Sequence, residues 1–229
     1  MTRIFATLAI FALILLFANI TVGLVGGDYN QDAQVLRVAG IAADEARHDA
    51  TLETAEREQV LEAYNAALAQ FEPRKRYQTF HLLLGVLASL ATVLVNSVAV
   101  TYFVGTSRWS KEVVETYDLD LQFIARSNAI KRATFPWSVL GMLTVVVIVM
   151  CGAAADPGNL SPTTAKWVTP HLAAALGGTA FIALCLAMQH RNIARNLENI
   201  QAIMQKVGEA RERLGLETES SAVPGPSAT

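Results

Sequence analysis

The uncharged stretch from 77 to 107 constrains the fold of this chain more than any other feature. It reads YQTFHLLLGVLASLATVLVNSVAVTYFVGTS and separates Arg76 from Arg108 with no Asp, Glu, Lys or Arg between them. A helix of this length extends about 45 Å, whereas the hydrocarbon core of a lipid bilayer is about 30 Å thick. The stretch therefore predicts a transmembrane helix that is tilted or that projects beyond the bilayer.

Three other segments are also long and apolar, and the charges crowd into the segments between them. The formal net charge is only -2, so the chain is neither strongly acidic nor strongly basic. This block pattern is typical of multi-pass membrane proteins. We predict an all-α integral membrane protein whose four transmembrane helices cover 1–27, 77–107, 133–155 and 167–190.

The first segment also has the basic start and apolar core of a secretory signal. Its apolar run is longer than a usual signal core and ends at Gly26-Gly27 without a small-x-small cleavage site. These features favour an uncleaved signal anchor, although cleavage stays open as the alternative.

The segment 28–76 is rich in Ala, Glu, Leu and Arg, which favour helix. Both of its ends join apolar segments and must return to the same membrane face. We therefore predict an extracytoplasmic antiparallel helical hairpin that turns near His48–Thr51 and ends at Pro73. Its inner face would be small: Val35, Ala39, Ala42 and Ala46 on one arm, and Val60, Ala63, Ala67 and Phe71 on the other.

Two charged segments, 108–132 and 191–216, have amphipathic helical patterns and are expected on the cytoplasmic side. Thr106 or Ser107 is expected to cap the first of these helices, and the YDLD sequence at 117–120 could break it in two. Pro136 is expected to open the third span. The remaining segments are a short loop at 156–166 and a tail at 217–229 that is expected to be disordered.

The segment 191–216 carries a short heptad pattern, with Ile193, Ile200, Val207 and Leu214 at steps of seven. Two interpretations are equally open. The helix packs on its own chain, for instance on Val113, Tyr117 and Leu121, or it forms a coiled coil with a partner or with a second copy.

The distribution of lysine and arginine predicts the orientation. With the N-terminus inside, eleven basic residues lie in inside segments and seven lie outside. This bias favours a cell-membrane protein with both termini in the cytoplasm, although the basic triplet Arg74–Arg76 opposes it.

A row of small and polar residues follows one face of the 77–107 helix: Gly85, Ser89, Thr92 and Asn96. Their spacing of three or four residues puts them on one side of the helix, where other helices can approach closely. The fourth segment offers Gly178 in the same way. Because these segments contain no Asp, Glu, Lys or Arg, a packing seam is favoured over a transport pathway.

Two histidines are the candidate chemical groups. His81 and His171 each lie four residues after an aromatic residue, at the same membrane face and similar depth in a four-span topology. Two neutral imidazoles on facing helices can ligate haem b axially, and Gly85 and Gly178 could leave room for the macrocycle. The alternative is two interfacial histidines that hydrogen-bond carbonyls or lipid head groups.

The sequence contains no nucleotide-binding loop, HExxH motif, Cys/His cluster or basic nucleic-acid patch. A non-enzymatic function without a metal is favoured. The leading hypothesis is a membrane scaffold or accessory subunit that binds other membrane or cytoplasmic proteins through its helices outside the bilayer. The second hypothesis is a small haem b membrane subunit, and the third is a sensor that uses the hairpin.

Overall fold

The fold was analysed in a computed structural model that describes residues 1–27, 29–159 and 163–216. Over these residues the chain is helical and contains no β-strand. The elements are α1 (Thr2–Val25), α2 (Tyr29–His48), α3 (Thr54–Thr116), α4 (Gln122–Ala155), a 3₁₀ turn (Pro157–Asn159) and α5 (Thr164–Arg213). The tail predicted at 217–229 lies outside the described residues.

Four of the helices, α1, α3, α4 and α5, are long and apolar enough to cross a membrane. The prediction of an all-helical chain with four such helices is confirmed at this level. Each of these helices except α1 also continues well into a charged segment, so its bounds exceed those of the predicted span.

The predicted end at Pro73 is wrong, because α3 runs without interruption from Thr54 to Thr116 with Pro73 inside it. Proline removes one main-chain hydrogen bond, but the intact turns on either side preserve the helical path. The same helix also passes through Thr106 and Ser107, so neither residue caps a new helix. Thr106 instead donates a hydrogen bond to the carbonyl of Tyr102 in its own helix.

The predicted helix start at Pro136 is also wrong, since α4 begins at Gln122 and contains Pro136. The chain breaks earlier, between Thr116 and Gln122, where the sequence YDLD had suggested a break. Asp118 adopts a positive φ of 50° there, a conformation that Asp tolerates better than most residues.

The chain divides into two compact units. The first, here called the histidine unit, contains Thr7–Val95 and Gly141–Leu184. The second, here called the amide unit, contains Met1–Ala6, Asn96–Leu140 and the chain from Cys185 onward.

Within the histidine unit, α1 and α3 run antiparallel. Asn19 lies beside Gly85, Gly23 beside His81, and Gly26 beside Tyr77, so the numbers rise along one helix as they fall along the other. The pair α4 and α5 is antiparallel in the same way, with Ile148 beside Gly178 and Gly152 beside His171.

Side-chain contacts join α2 to the first part of α3. Tyr29 stacks on Phe71 with ring centroids 5.3 Å apart, and Arg57 donates hydrogen bonds to the carbonyls of Ala46 and Asp49 at 3.0 and 2.8 Å. The buried face of α2 matches the predicted one only in part. Ala46 is buried as predicted, at 5% exposed, whereas Val35 is 53% exposed and Ala43, which was not predicted, is 2% exposed.

Within the amide unit, the apolar core lies where the end of α3 meets α5. Val114, Ile203 and Val207 are buried there, and Tyr117 and Phe123 pack against them among other partly buried residues. The C-terminal helix therefore packs on its own chain. Leu121, predicted in this contact, is 67% exposed.

Candidate functional site

The structure brings the two predicted histidines together inside the histidine unit. The ring centroids of His81 on α3 and His171 on α5 are 6.4 Å apart, with an angle of 77° between the ring planes. Both side chains are half-buried. The matching depth predicted from the sequence thus corresponds to close approach of the two rings.

Each histidine lies against a glycine of a neighbouring helix. A Cβ atom added at Gly23 of α1 would lie 2.9 Å from Cε1 of His81, and one added at Gly152 of α4 would lie 3.0 Å from Cε1 of His171. Any larger residue at these two positions would displace the imidazole. Four helices therefore define the surroundings of the pair, and the two glycines were not identified from the sequence.

The two rings also have the same hydrogen-bonding pattern. The His81 ring lies within reach of the main chain of Asn19, and the His171 ring lies within reach of the main chain of Ile148. Nδ1 of each ring is buried without a hydrogen-bond partner among the described residues, so Nε2 is the atom left for the main-chain bond. A histidine that donates one N–H to a carbonyl and keeps a free lone pair on its other nitrogen is suited to bind a metal.

The two glycines that were expected to leave room for a macrocycle have close neighbours instead. A Cβ at Gly85 would lie 3.1 Å from the amide nitrogen of Asn19, and a Cβ at Gly178 would lie 2.7 Å from Cδ1 of Ile148. Both glycines permit close approach of a neighbouring helix. Neither opens a space beside the histidines.

The buried amide of Asn96 has a specific partner. Its Oδ1 accepts a hydrogen bond of 2.8 Å from Nε2 of Gln189 on α5, and both residues are fully buried. Ser89 and Thr92 behave differently, because their hydroxyls donate to the carbonyls of Gly85 and Ala88 in their own helix. Of the predicted polar face, Asn96 thus carries a hydrogen bond between helices.

A row of buried amides on α5 was missed in the sequence interpretation. It consists of Gln189, Asn192, Asn196 and Asn199, all at most 3% exposed. Nδ2 of Asn196 bonds Tyr102 and Thr106 of α3 at 3.2 and 3.0 Å, and Nδ2 of Asn199 bonds the carbonyl of Phe123 at 3.2 Å. The spacing of three or four residues is visible in the sequence. The helix was interpreted from its heptad of aliphatic residues, and the amides between them were not considered.

Asn30 was also missed. It is 7% exposed at the start of α2, where its Nδ2 donates to the carbonyl of Ala155 at 3.0 Å and its Oδ1 accepts from Thr164 at 2.9 Å. One side chain therefore ties α2 to the end of α4 and to the start of α5.

Among the described residues, no group of three or more His, Cys, Asp or Glu side chains is arranged to hold a metal ion. Comparison of the chain with protein-family models, curated proteins and solved structures finds no match. Functional proposals therefore depend on the geometry above.

Proposed function

We propose that the protein is a multi-pass membrane scaffold or accessory subunit that binds other proteins through its helices outside the bilayer. One observation carries this proposal. The helix α2, which is not among the four apolar helices, exposes Val35, Val38 and Ile41 by 53%, 68% and 52%. Steps of three residues place them along one side of the helix, and such an apolar face in water is a candidate protein contact.

The lysine and arginine bias supports an orientation for this function. It favours both termini in the cytoplasm, with α2 and the first part of α3 forming a hairpin outside. The contacts of Arg57 with Ala46 and Asp49 support the hairpin arrangement. The side of the 191–216 helix that does not pack on the chain, where Leu197 and Met204 are exposed, would then be available on the cytoplasmic side to a partner or a second copy.

Photo-crosslinking in native membranes tests the scaffold function. A photoreactive residue at Val38 should give a crosslinked product larger than the chain alone, whereas one at Glu58, exposed on α3, should give none. A product of twice the chain mass would identify self-association, and any other larger mass would identify a different partner. Recovery of only the single chain at both positions would contradict this proposal.

We propose haem b binding as a second candidate, because His81 and His171 approach each other. Two neutral imidazoles from neighbouring helices would hold a haem iron through their ring nitrogens. The observed separation of 6.4 Å allows both rings to reach one iron. The side chains of Asn19 and Ile148 fill the space beside Gly85 and Gly178, so the macrocycle would have to displace them. Ligation would use the ring nitrogens of His81 and His171.

An absorbance spectrum tests the haem candidate. Protein produced with ample haem should have a Soret band that disappears in His81→Ala and His171→Ala. The band should persist in His48→Ala, since the His48 side chain is 79% exposed and distant in sequence. The absence of a Soret band in the unmodified protein would exclude this candidate without affecting the scaffold proposal.

A further inference from the structure

Three polar groups of the amide unit, on the neighbouring helices α3 and α5, have no hydrogen-bond partner among the described residues. They are Oδ1 of Asn196, Oδ1 of Asn199 and Oγ of Ser110, each on a residue that is completely buried. Buried polar groups are nearly always hydrogen-bonded, and leaving one unpaired costs about 1–3 kcal/mol. Three unpaired groups on two neighbouring helices therefore point to a ligand between these helices.

The register of α3 and α5 places the three groups close together. The two helices run parallel here, because Gln189 bonds Asn96 and Asn196 bonds Tyr102 and Thr106, at sequence separations of 93, 94 and 90. At these offsets, Ser110 of α3 is level with residues 200–204 of α5, the turn that follows Asn199. Asn196 and Asn199 are one turn apart, which corresponds to a rise of about 4.5 Å.

We propose that a buried water molecule occupies this position and joins α3 to α5. Two hydrogen bonds of about 2.8 Å that meet at one oxygen can span the distance between neighbouring turns of a helix. The water donates one hydrogen to Oδ1 of Asn196 and the other to Oδ1 of Asn199, and it accepts the hydroxyl proton of Ser110. These three bonds are the number typical of a buried water.

The chemistry of the three groups selects water over other small ligands. The two amide oxygens accept only, so an anion or an apolar molecule would leave them unpaired. An alkali cation would satisfy the amide oxygens but would leave the hydroxyl proton of Ser110 without an acceptor. If the oxygen and nitrogen of either amide were exchanged, its NH₂ group would donate a hydrogen bond to the ligand instead. Water fits this case too, because it accepts hydrogen bonds as well as donating them.

Radiolytic hydroxyl labelling of the full-length protein in lipid nanodiscs tests the proposal. A bound water yields radicals that oxidise adjacent side chains even where bulk solvent is excluded. Ile203 is completely buried and follows Asn199 by one turn on the same face of α5. We expect its oxidation rate to fall at least about threefold in Asn199→Leu, because the apolar side chain removes a partner of the water.

Two further variants make the result specific. Ser110→Ala removes one partner with little change of shape, and we expect it to lower the labelling of Ile203 as well. Asn192→Leu serves as the matched control, because Asn192 is buried on the same helix but has no unpaired atom of this kind, and the rate should stay unchanged.

Two outcomes would overturn the proposal. If Ile203 were labelled equally in the unmodified protein, Asn199→Leu and Ser110→Ala, no water would be present. If labelling required sodium or potassium in the buffer, the occupant would be a cation. Labelling that does not depend on these ions but depends on Ser110 and Asn199 supports water.

Discussion

At the scale of single residues, buried side chains in this protein are paired across helices by amides and by contacts with glycine. Asn96 and Gln189 illustrate the first case, with one hydrogen bond of 2.8 Å between two fully buried amides. Gly178 illustrates the second, since its missing side chain lets α4 approach α5. Each case gives a prediction with a matched control in the same helix.

Replacing only one member of the amide pair should lower the stability by more than the hydrogen bond contributes, because the remaining amide is then buried and unpaired. Asn96→Leu leaves Gln189 without its acceptor, and we expect the unfolding free energy in mild detergent to fall by about 1 kcal/mol. The double variant with Gln189→Leu should lose less than the sum of the two single losses. Additive losses in this double-mutant cycle would contradict direct pairing, and Ser89→Ala, which breaks only a bond within α3, is the control.

Gly177 and Gly178 are neighbours with opposite surroundings. A Cβ at Gly177 meets nothing within 4 Å, whereas one at Gly178 would lie 2.7 Å from Ile148 and 3.1 Å from Thr144. We expect Gly178→Ala to lower the unfolding free energy by about 1–3 kcal/mol through overpacking. Gly177→Ala should be neutral or slightly stabilising, since alanine favours helix. Equal effects in thermal unfolding would count against the close contact of α4 with α5.

At the scale of elements, the turn between α2 and α3 and the long helix α3 differ in how readily the sequence predicts them. The turn was placed near His48–Thr51, and α2 does end at His48. The next helix, α3, begins only at Thr54, and within the turn the Asp49 carboxylate accepts two hydrogen bonds from Thr51. The local polar residues thus predicted where the turn lies, but not where α3 begins or which hydrogen bonds Asp49 makes.

The Asp49 turn should weaken in acid. The two hydrogen bonds from Thr51 hold the pKa of the Asp49 carboxyl below its ordinary value of 3.8. A lowered pKa in the folded state stabilises the fold at pH values above 3.8, and that contribution disappears as the pH falls through the lowered pKa. The amide proton of Thr51, followed by NMR in micelles, should titrate with a midpoint below 3.8. A midpoint at or above 3.8, or the same titration in Asp49→Asn, would refute this assignment.

Pro73 gives a test of the continuity of α3. Inside a helix, proline is about 3 kcal/mol less favourable than alanine, whereas at a helix end the difference is small. Because Pro73 lies in the middle of α3 and is exposed, we expect Pro73→Ala to stabilise the protein in chemical denaturation. Unchanged stability would indicate that the helix ends there after all, as the sequence had suggested.

The failures at Pro73, Ser107 and Pro136 have one physical cause. Proline and serine change the stability of a helix locally, by the loss or gain of one or two hydrogen bonds. Long helices that are packed along their length keep their path in spite of such local costs. The partner of Asn96 was unpredictable for a different reason, because sequence spacing shows which face a residue occupies but not which helix lies opposite.

At the scale of the whole molecule, the sequence was sufficient for the helical class and for the four apolar helices. Those features depend on composition summed over many residues, which is why they are predicted more reliably than helix ends. The approach of His81 to His171 also followed from their matching depth, once four spans were assumed.

The proposed orientation predicts the accessibility of two exposed positions. In a variant whose native Cys151 and Cys185 are replaced by alanine, Asp44→Cys should react with a membrane-impermeant maleimide added to intact cells. Glu212→Cys should react only after the membrane is opened, because the basic bias places the C-terminal helix inside. The reverse pattern would require an inverted topology. Labelling of both positions in intact cells would contradict their placement on opposite sides of the membrane.

The parallel register of α3 and α5 has a consequence for how this sequence can change in evolution. Asn96 and Val114 are separated by the same number of residues as Gln189 and Val207, about five full helical turns in each case. One residue inserted in either helix between these points would rotate everything beyond it by about 100° and move the buried amides to the outside. Relatives of this chain should therefore vary in length in the connections between helices, while these two intervals keep their length unchanged.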